Sequence, residues 1–330
     1  MHRTATFYDL KISAMGISRA AANLACFDAT PKTLRELHSD ISLLFTSGDK
    51  IVKKGRTETS AKLYLSDLQL KGDKLILLIN RSDPNAPDAV SSDPDLKSRV
   101  VHSKPPGHGG DYSAHVVLDL NPVKGDNYYL CVIETVFGSG LHASSISDYI
   151  RFLFRACKKQ FPAQYMIPNA NGARDSKGNP VLVHLLHQIE FQGHPSAEFE
   201  NDLNGGTLSS IQLLSFSEEG ATWDDSGAVK ERLRTIELKP EPGLIASISS
   251  SVRQIRNKII KKNVEYKQMR LRFKNADGEP REATISADSG KLIDNDKYIK
   301  RHTITAPLVN TNSFDKANNF IIKEVLSLMG

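Results

Sequence analysis

The chain has 330 residues, 43 Lys and Arg against 38 Asp and Glu, a formal net charge of +5, and 39% hydrophobic residues. This length exceeds the usual single core and predicts two domains. No apolar run reaches the roughly 20 residues of a membrane-spanning helix. The start has no signal-peptide apolar region, so the expectation is a soluble, cytoplasmic protein. Cys26, Cys131 and Cys157 are odd in number and widely separated, which predicts reduced thiols in the core.

The first expected element is a strand over Thr4–Ile12. Thr30 followed by Pro31 predicts an N-cap and first helical position, opening a helix through Phe45 on Leu34, Leu37, Ile41 and Leu44. Lys50–Arg56 with Ala61–Leu65 reads as a hairpin, and Lys53, Lys54 and Arg56 form a small basic group on it. Lys74–Asn80 is an apolar run bounded by turn residues, the pattern of a buried strand. Residues 82–110, rich in Pro, Gly, Ser and Asp, predict a long, mobile surface excursion. Two strands, His115–Leu120 and Tyr128–Val136, precede a helix over Ser144–Lys159 that carries lysines in its last turn.

Three prolines and two glycines between Gln160 and Pro180 place the expected boundary there. The domains are then 1–162, a linker 163–180, and 181–330. Strands are expected over Val181–Phe191, Leu208–Phe216 and Thr235–Leu238, with an acidic loop carrying Trp223 before the last of these. The fold class that results is α+β, two domains, each a mainly antiparallel sheet packed with helices.

The most informative stretch runs from Gly243 to Lys274. Ile245, Ile248, Val252, Ile255 and Ile259 recur at steps of three and four, one face of a helix. Arg253, Lys258 and Lys261 project away from that face, while Arg256 and Lys262 flank it. After Asn263 the period becomes two: Met269, Leu271 and Phe273 point one way, Arg270, Arg272 and Lys274 the other. Glu265 is the only acid between Leu244 and Lys274, so the stretch predicts an unbalanced positive field, the footprint of a polyanion partner. A hairpin follows at Asn275–Gly278, and a terminal helix on Ala317, Phe320, Ile321, Val325 and Leu328 closes the chain.

Chemistry is less legible. Gly138–Ala143 (GSGLHA) sits between a strand and a helix as a dinucleotide fingerprint does. The acid needed about 20 residues on is missing, and Lys158, Lys159 and Gln160 stand there instead, so it reads as a glycine-rich turn. His102, His108, His115 and Asp111 match no zinc spacing, and no metal or cofactor is expected. His184 and His187 lie three apart in a strand and face opposite sides. Asp119 and Glu134 fall on neighbouring strands, but Glu134 is followed by Thr135 and Val136 rather than the x-Lys of a two-carboxylate nuclease site. The alternatives to a non-enzymatic DNA-binding protein are therefore a metal-dependent nuclease and a protein-interaction module with an acidic partner.

Taken as an ordered pattern, several stretches carry a resemblance. They are Glu134–Gly138 (ETVFG), Val181–His194 (VLVHLLHQIEFQGH), the helix Leu244–Lys262, Met269–Gly278 (MRLRFKNADG), Thr305–Leu308 (TAPL) and the terminal helix. With these the chain resembles the RexA-like phage-exclusion family. It is longer, chiefly through residues 82–110 and 160–180. The resemblance implies a cytoplasmic, homodimeric sensor of phage defence that binds double-stranded DNA without regard to sequence and acts with a membrane-protein effector. The phosphate contacts expected from charge and spacing are Arg253, Arg256, Lys258, Lys261, Lys262, Arg270, Arg272 and Lys274, with Lys53, Lys54 and Arg56. Without a helix-turn-helix or zinc module they would position a duplex rather than read its bases.

Overall fold

In a computed structural model of the chain, the structure describes residues 2–48, 51–55, 57, 59–216, 222, 224, 226, 228–241, 247–261, 266–293, 296–305 and 309–330. The fold is α+β. In chain order the elements are β1 (His2–Ser18), β2 (Ala25–Ala29), α1 (Leu34–Thr46), β3 (Val52–Lys53), β4 (Lys62–Lys71), β5 (Lys74–Asp83), β6 (Ala89–Asp93), β7 (Ser98–His102), β8 (Gly110–Lys124), β9 (Tyr128–Thr135), α2 (Ala143–Gln160), β10 (Met166–Pro168) and β11 (Leu182–Gly193). They continue with α3 (Ala197–Asn204), β12 (Thr207–Phe216), β13 (Leu233–Leu238), α4 (Ile248–Lys261), β14 (Gln268–Lys274), β15 (Pro280–Ser286), β16 (Arg301–Thr305) and α5 (Asn319–Met329). No helix among the described residues is long and apolar enough to cross a membrane.

The chain forms two compact units, Met1–Phe191 with His302–Gly330, and Gln192–Arg301. This division differs from the one expected at 163–180. That segment is built into the first unit: β10 pairs with β11, and the backbone from Asn169 to Val181 closes a turn through Asn169 N–H to Val181 O at 2.8 Å and Val181 N–H to Ala173 O at 2.8 Å. Prolines and glycines there shape a tight excursion rather than a linker.

The first unit is organised on a ten-stranded sheet in the order β10-β11-β1-β9-β8-β5-β4-β3, with β2 and β16 also paired to β1. Alternation sorts its two faces. Ala5, Phe7, Val132, Val117, Ile76 and Leu78 lie on one face under Ile321, Ile322 and Val325 of α5. Tyr8, Leu10, Tyr129, Cys131, Val116, Leu118, Leu75 and Leu77 point to the opposite face. On that side Tyr129 Oη accepts from Leu34 N–H at 3.1 Å, at the start of α1.

Several local expectations change. The N-cap of α1 is Thr33, not Thr30, because Glu36 completes a reciprocal capping box with it, Thr33 N–H donating to the Glu36 carboxylate at 2.7 Å. Residues 82–110 are not a bare loop. β6 and β7 pair Val90 with Val101 and Ser91 with Val100, and Asp93 accepts from the N–H groups of Asp95 and Leu96 in the connecting turn. All ten strand residues of this hairpin are exposed. Cys131 and Cys157 are buried as expected, but Cys26 is exposed on β2.

Between the sheet and the segment entering α5 lies a buried polar chain. Arg3 Nε donates to Glu134 and its Nη2 to Ser113 O at 3.1 Å. His115 Nε2 accepts from Asn318 N–H at 3.0 Å, which leaves Nδ1 as the donor to Glu134 at 2.7 Å. Arg3, Glu134, His115 and Ser113 are all fully buried. A second buried cluster lies at α1, where Lys32 Nζ and Tyr165 Oη both reach Asp40, at 2.6 and 2.7 Å. His187 accepts there from Lys32 N–H at 3.0 Å.

Two outcomes follow from these clusters. Arg3→Met strands the Glu134 charge in the core and should cost about 3–5 kcal/mol in urea unfolding; a loss below about 1 kcal/mol would show the pair to be dispensable. Burial, and then the charge of Lys32, push His187 from 6.5 down to about 4. The unfolded chain therefore takes up a proton that the folded one refuses. Stability should fall by roughly 3 kcal/mol as pH drops from 6.5 towards 4. His187→Gln, which can still accept from Lys32, should lose most of that slope relative to the parent.

Candidate nucleic-acid interface

In the second unit the change of period from 3.6 to 2 has the consequence expected of it. Ile248, Val252 and Ile259 of α4 are buried, Ile255 is half-buried, and Arg253, Lys258 and Lys261 are exposed. At about 100° per residue the three cations all lie within a quarter-turn of the direction opposite the buried stripe. In β14, Met269, Leu271 and Phe273 are buried at 0%, 0% and 1% exposure. This strand is central in the four-stranded sheet β13-β12-β14-β15, and its apolar residues pair with Leu213, Ile211 and Leu208 of β12. Phe199 of α3 packs on Phe273 at 6.3 Å between ring centroids, so α3 covers the apolar face. Arg270, Arg272 and Lys274 leave the sheet on its other face.

The helix is tied to α3, Ser249 Oγ donating to Asn204 Oδ1 at 2.6 Å. The rows on α4 and β14 therefore do not issue from one face of the sheet, and each must be judged by its own surroundings.

Those surroundings differ. The hairpin at Asn275–Gly278 sets Glu282 of β15 directly opposite Arg272. From there its carboxylate reaches Arg272 at 2.8 Å and Arg270 at 3.2 Å. The field on the strand is thus not unbalanced: an acid eight residues beyond Lys274 folds back onto it. Arg256 is half-buried and donates Nη1 to Ser289 O at 3.2 Å, which bolts α4 to the turn after β15. The side chains of Arg253, Lys258, Lys261 and Lys274 make no hydrogen bond or ion pair among the described residues. Lys262 lies outside the described residues.

The smaller basic group belongs to the first unit. Lys53 is paired with Asp148 at 3.6 Å, Lys54 is exposed without a partner among the described residues, and Arg56 lies outside them. The two carboxylates weighed for a nuclease are each occupied. Asp119 binds Lys74 at 2.5 Å, and Glu134 holds Arg3 and His115. Glu134 stands opposite His115, four residues along β8 from Asp119, a separation of about 13 Å. Among the described residues no three His, Cys, Asp or Glu side chains converge as metal ligands. His187 is buried and His184 exposed, facing opposite ways as their spacing demands.

The glycine motif after β9 forms a tight turn, with Gly138 and Gly140 at φ of 77° and 66°, and Arg81 packs against Gly140 and donates to Ser139 O at 3.3 Å. A side chain at Gly140 would meet that guanidinium, which accounts for the glycine without a ligand.

No protein-family model matches the chain, and no curated protein matches it.

The missed residue of this region is Glu282, and its signal was present. Counting back from the Asp-Gly turn pairs Lys274 with Pro280 and so Arg272 with Glu282. Glu282→Gln should release two arginines, strengthening duplex binding several-fold at low salt and steepening its salt dependence by up to about two. Changing Arg253, Lys258 and Lys261 to Gln should instead weaken binding with the melting temperature held, whereas Ile259→Asp should unfold the unit. Filter binding and thermal melts on these variants decide it; unchanged affinity after removal of the three helix cations would dismiss α4 as a contact.

Proposed function

We propose that the chain is a sequence-independent double-stranded DNA-binding protein of two domains, with the outward row of α4 as its principal phosphate contact. One observation carries this reading: Arg253, Lys258 and Lys261 line a single exposed helix face with no carboxylate against them among the described residues. Surface cations held in a structural role elsewhere in this chain have partners, as Arg35 has Asp73 and Lys104 has Asp88. A row without them gains by displacing counterions from a polyanion. Lys274, at the exposed end of β14, is also unpartnered among the described residues but lies on a different face from the α4 row. Arg270 and Arg272 can join only when a phosphate displaces Glu282.

In keeping with the resemblance to RexA-like exclusion proteins, the proposal extends to a cytoplasmic homodimer that senses DNA and acts through a membrane-protein effector. The backbone contacts would set position and not sequence preference. Three phosphate contacts from the α4 row predict a slope of log K against log salt of about −2.7, nearly equal for unrelated duplexes. Fluorescence anisotropy across a salt series measures it. A slope near zero, or binding confined to one sequence, would refute the phosphate-contact reading. Preference for an acidic protein over DNA at equal salt would favour the interaction-module reading instead.

A further inference from the structure

A second cationic feature lies in the first unit. A cavity of about 430 Å³ opens at the end of β1. Three elements supply its polar lining: Arg19 follows β1, Lys158 stands in the last turn of α2, and His184 lies on the outward side of β11. Ile17 and Leu186, both half-buried, give it an apolar floor. Among the described residues no carboxylate lines it.

The side chains of Arg19, Lys158 and His184 make no hydrogen bond or ion pair among the described residues. Lys32, Lys74 and Lys104 are partly withdrawn from water, and each holds a carboxylate, at 2.6, 2.5 and 2.8 Å. Lys158 is also partly withdrawn, and burial lowers its pKa with no neighbouring charge to offset it. The carbonyl end of α2 accounts for a lysine in its last turn. It does not account for an arginine and a histidine converging from β1 and β11. The chain thus places a partly dehydrated ammonium in a cavity that also carries a guanidinium and, among the described residues, no acid, an arrangement that an anion in the cavity would relieve.

We propose that this cavity binds a small phosphorylated molecule of mononucleotide size, its phosphate between Arg19 and Lys158 and its apolar or aromatic body over Ile17 and Leu186. The volume suits such a ligand. The guanidinium fork matches two phosphate oxygens, and lysine adds a point charge. His184 and the Ser18 hydroxyl, which also line the cavity, can donate to the remaining oxygens. The site is independent of the duplex row, which belongs to the other unit.

Calorimetry on the full chain tests this with three probes: adenosine 5′-monophosphate, adenosine and inorganic phosphate. The expected result is that the monophosphate binds, inorganic phosphate competes more weakly, and adenosine alone does not bind. Arg19→Gln and Lys158→Gln should each weaken the monophosphate about tenfold or more, with Arg19→Lys recovering part of the loss and melting temperatures unchanged. Duplex affinity and its salt slope should not change in these variants. The variant lacking Arg253, Lys258 and Lys261 should still bind the monophosphate, so failure of the duplex reading would leave this site standing. Three results would overturn the proposal: no monophosphate binding at millimolar concentration; binding that survives both Gln substitutions; or a fall in duplex salt slope on Arg19→Gln without monophosphate binding, which would make these cations backbone contacts.

Discussion

The first unit depends on the contact between Arg3 and Glu134 beneath α5. Two opposite charges are held there without water, a state whose desolvation cost is tolerable only when every remaining donor and acceptor is met. The chain meets them by recruiting distant segments. Arg3 also takes Ser113 O, Glu134 also takes His115, and His115 takes the backbone of Asn318. Asn318 is itself the N-cap of α5, its Oδ1 accepting from Phe320 and Ile321 N–H. A single ion pair thus links the beginning of β1, the middle of the sheet and the helix that ends the chain.

That linkage explains how a unit made of two separate stretches of sequence, Met1–Phe191 and His302–Gly330, closes on itself. The segment entering α5 meets β5 and β8 through polar contacts as well. Asn80 Nδ2 donates to Phe314 O at 3.0 Å, Ser113 Oγ accepts from Phe314 N–H at 2.8 Å, and Asp111 gathers Tyr64, Asn80 and Ser313. Burial dominates at Asp111 and holds its carboxyl above the usual range in spite of those donors. Specific polar pairing fixes where the segment lands, while Ile321, Ile322 and Val325 supply the apolar area that makes landing favourable.

In the second unit one geometric rule produces both core and charge pattern. Because strand side chains alternate, the residues that bury Met269, Leu271 and Phe273 also force Arg270, Arg272 and Lys274 onto the opposite face. The same rule, carried across the hairpin, brings Glu282 to them. Whether a row of cations is free or neutralised is therefore decided by the neighbouring strand. Among the described residues the three outward cations of α4 meet no carboxylate, and their charge stays unpaired.

Much of the secondary structure was legible because it rests on local periodicity. The alternation of Met269–Lys274, the heptad-like stripe of Ile248, Val252 and Ile259, and the apolar run Lys74–Asn80 each report a buried face without knowledge of what covers it. The outward row on α4 was legible for the same reason. What the sequence could not show is what comes from far along the chain. The cap of α1 is an exception: the Thr33-x-x-Glu36 capping box is a local signature that was present in the sequence. That 163–180 belongs to the first unit, and that Glu134 serves Arg3, depended on partners up to 131 residues distant. Sequence alone determined which faces are apolar and which are charged, since that is set by backbone period within a few residues. Only the tertiary structure decided which charges are spent on one another, because pairing is a matter of distance in space, and distance in the chain does not measure it.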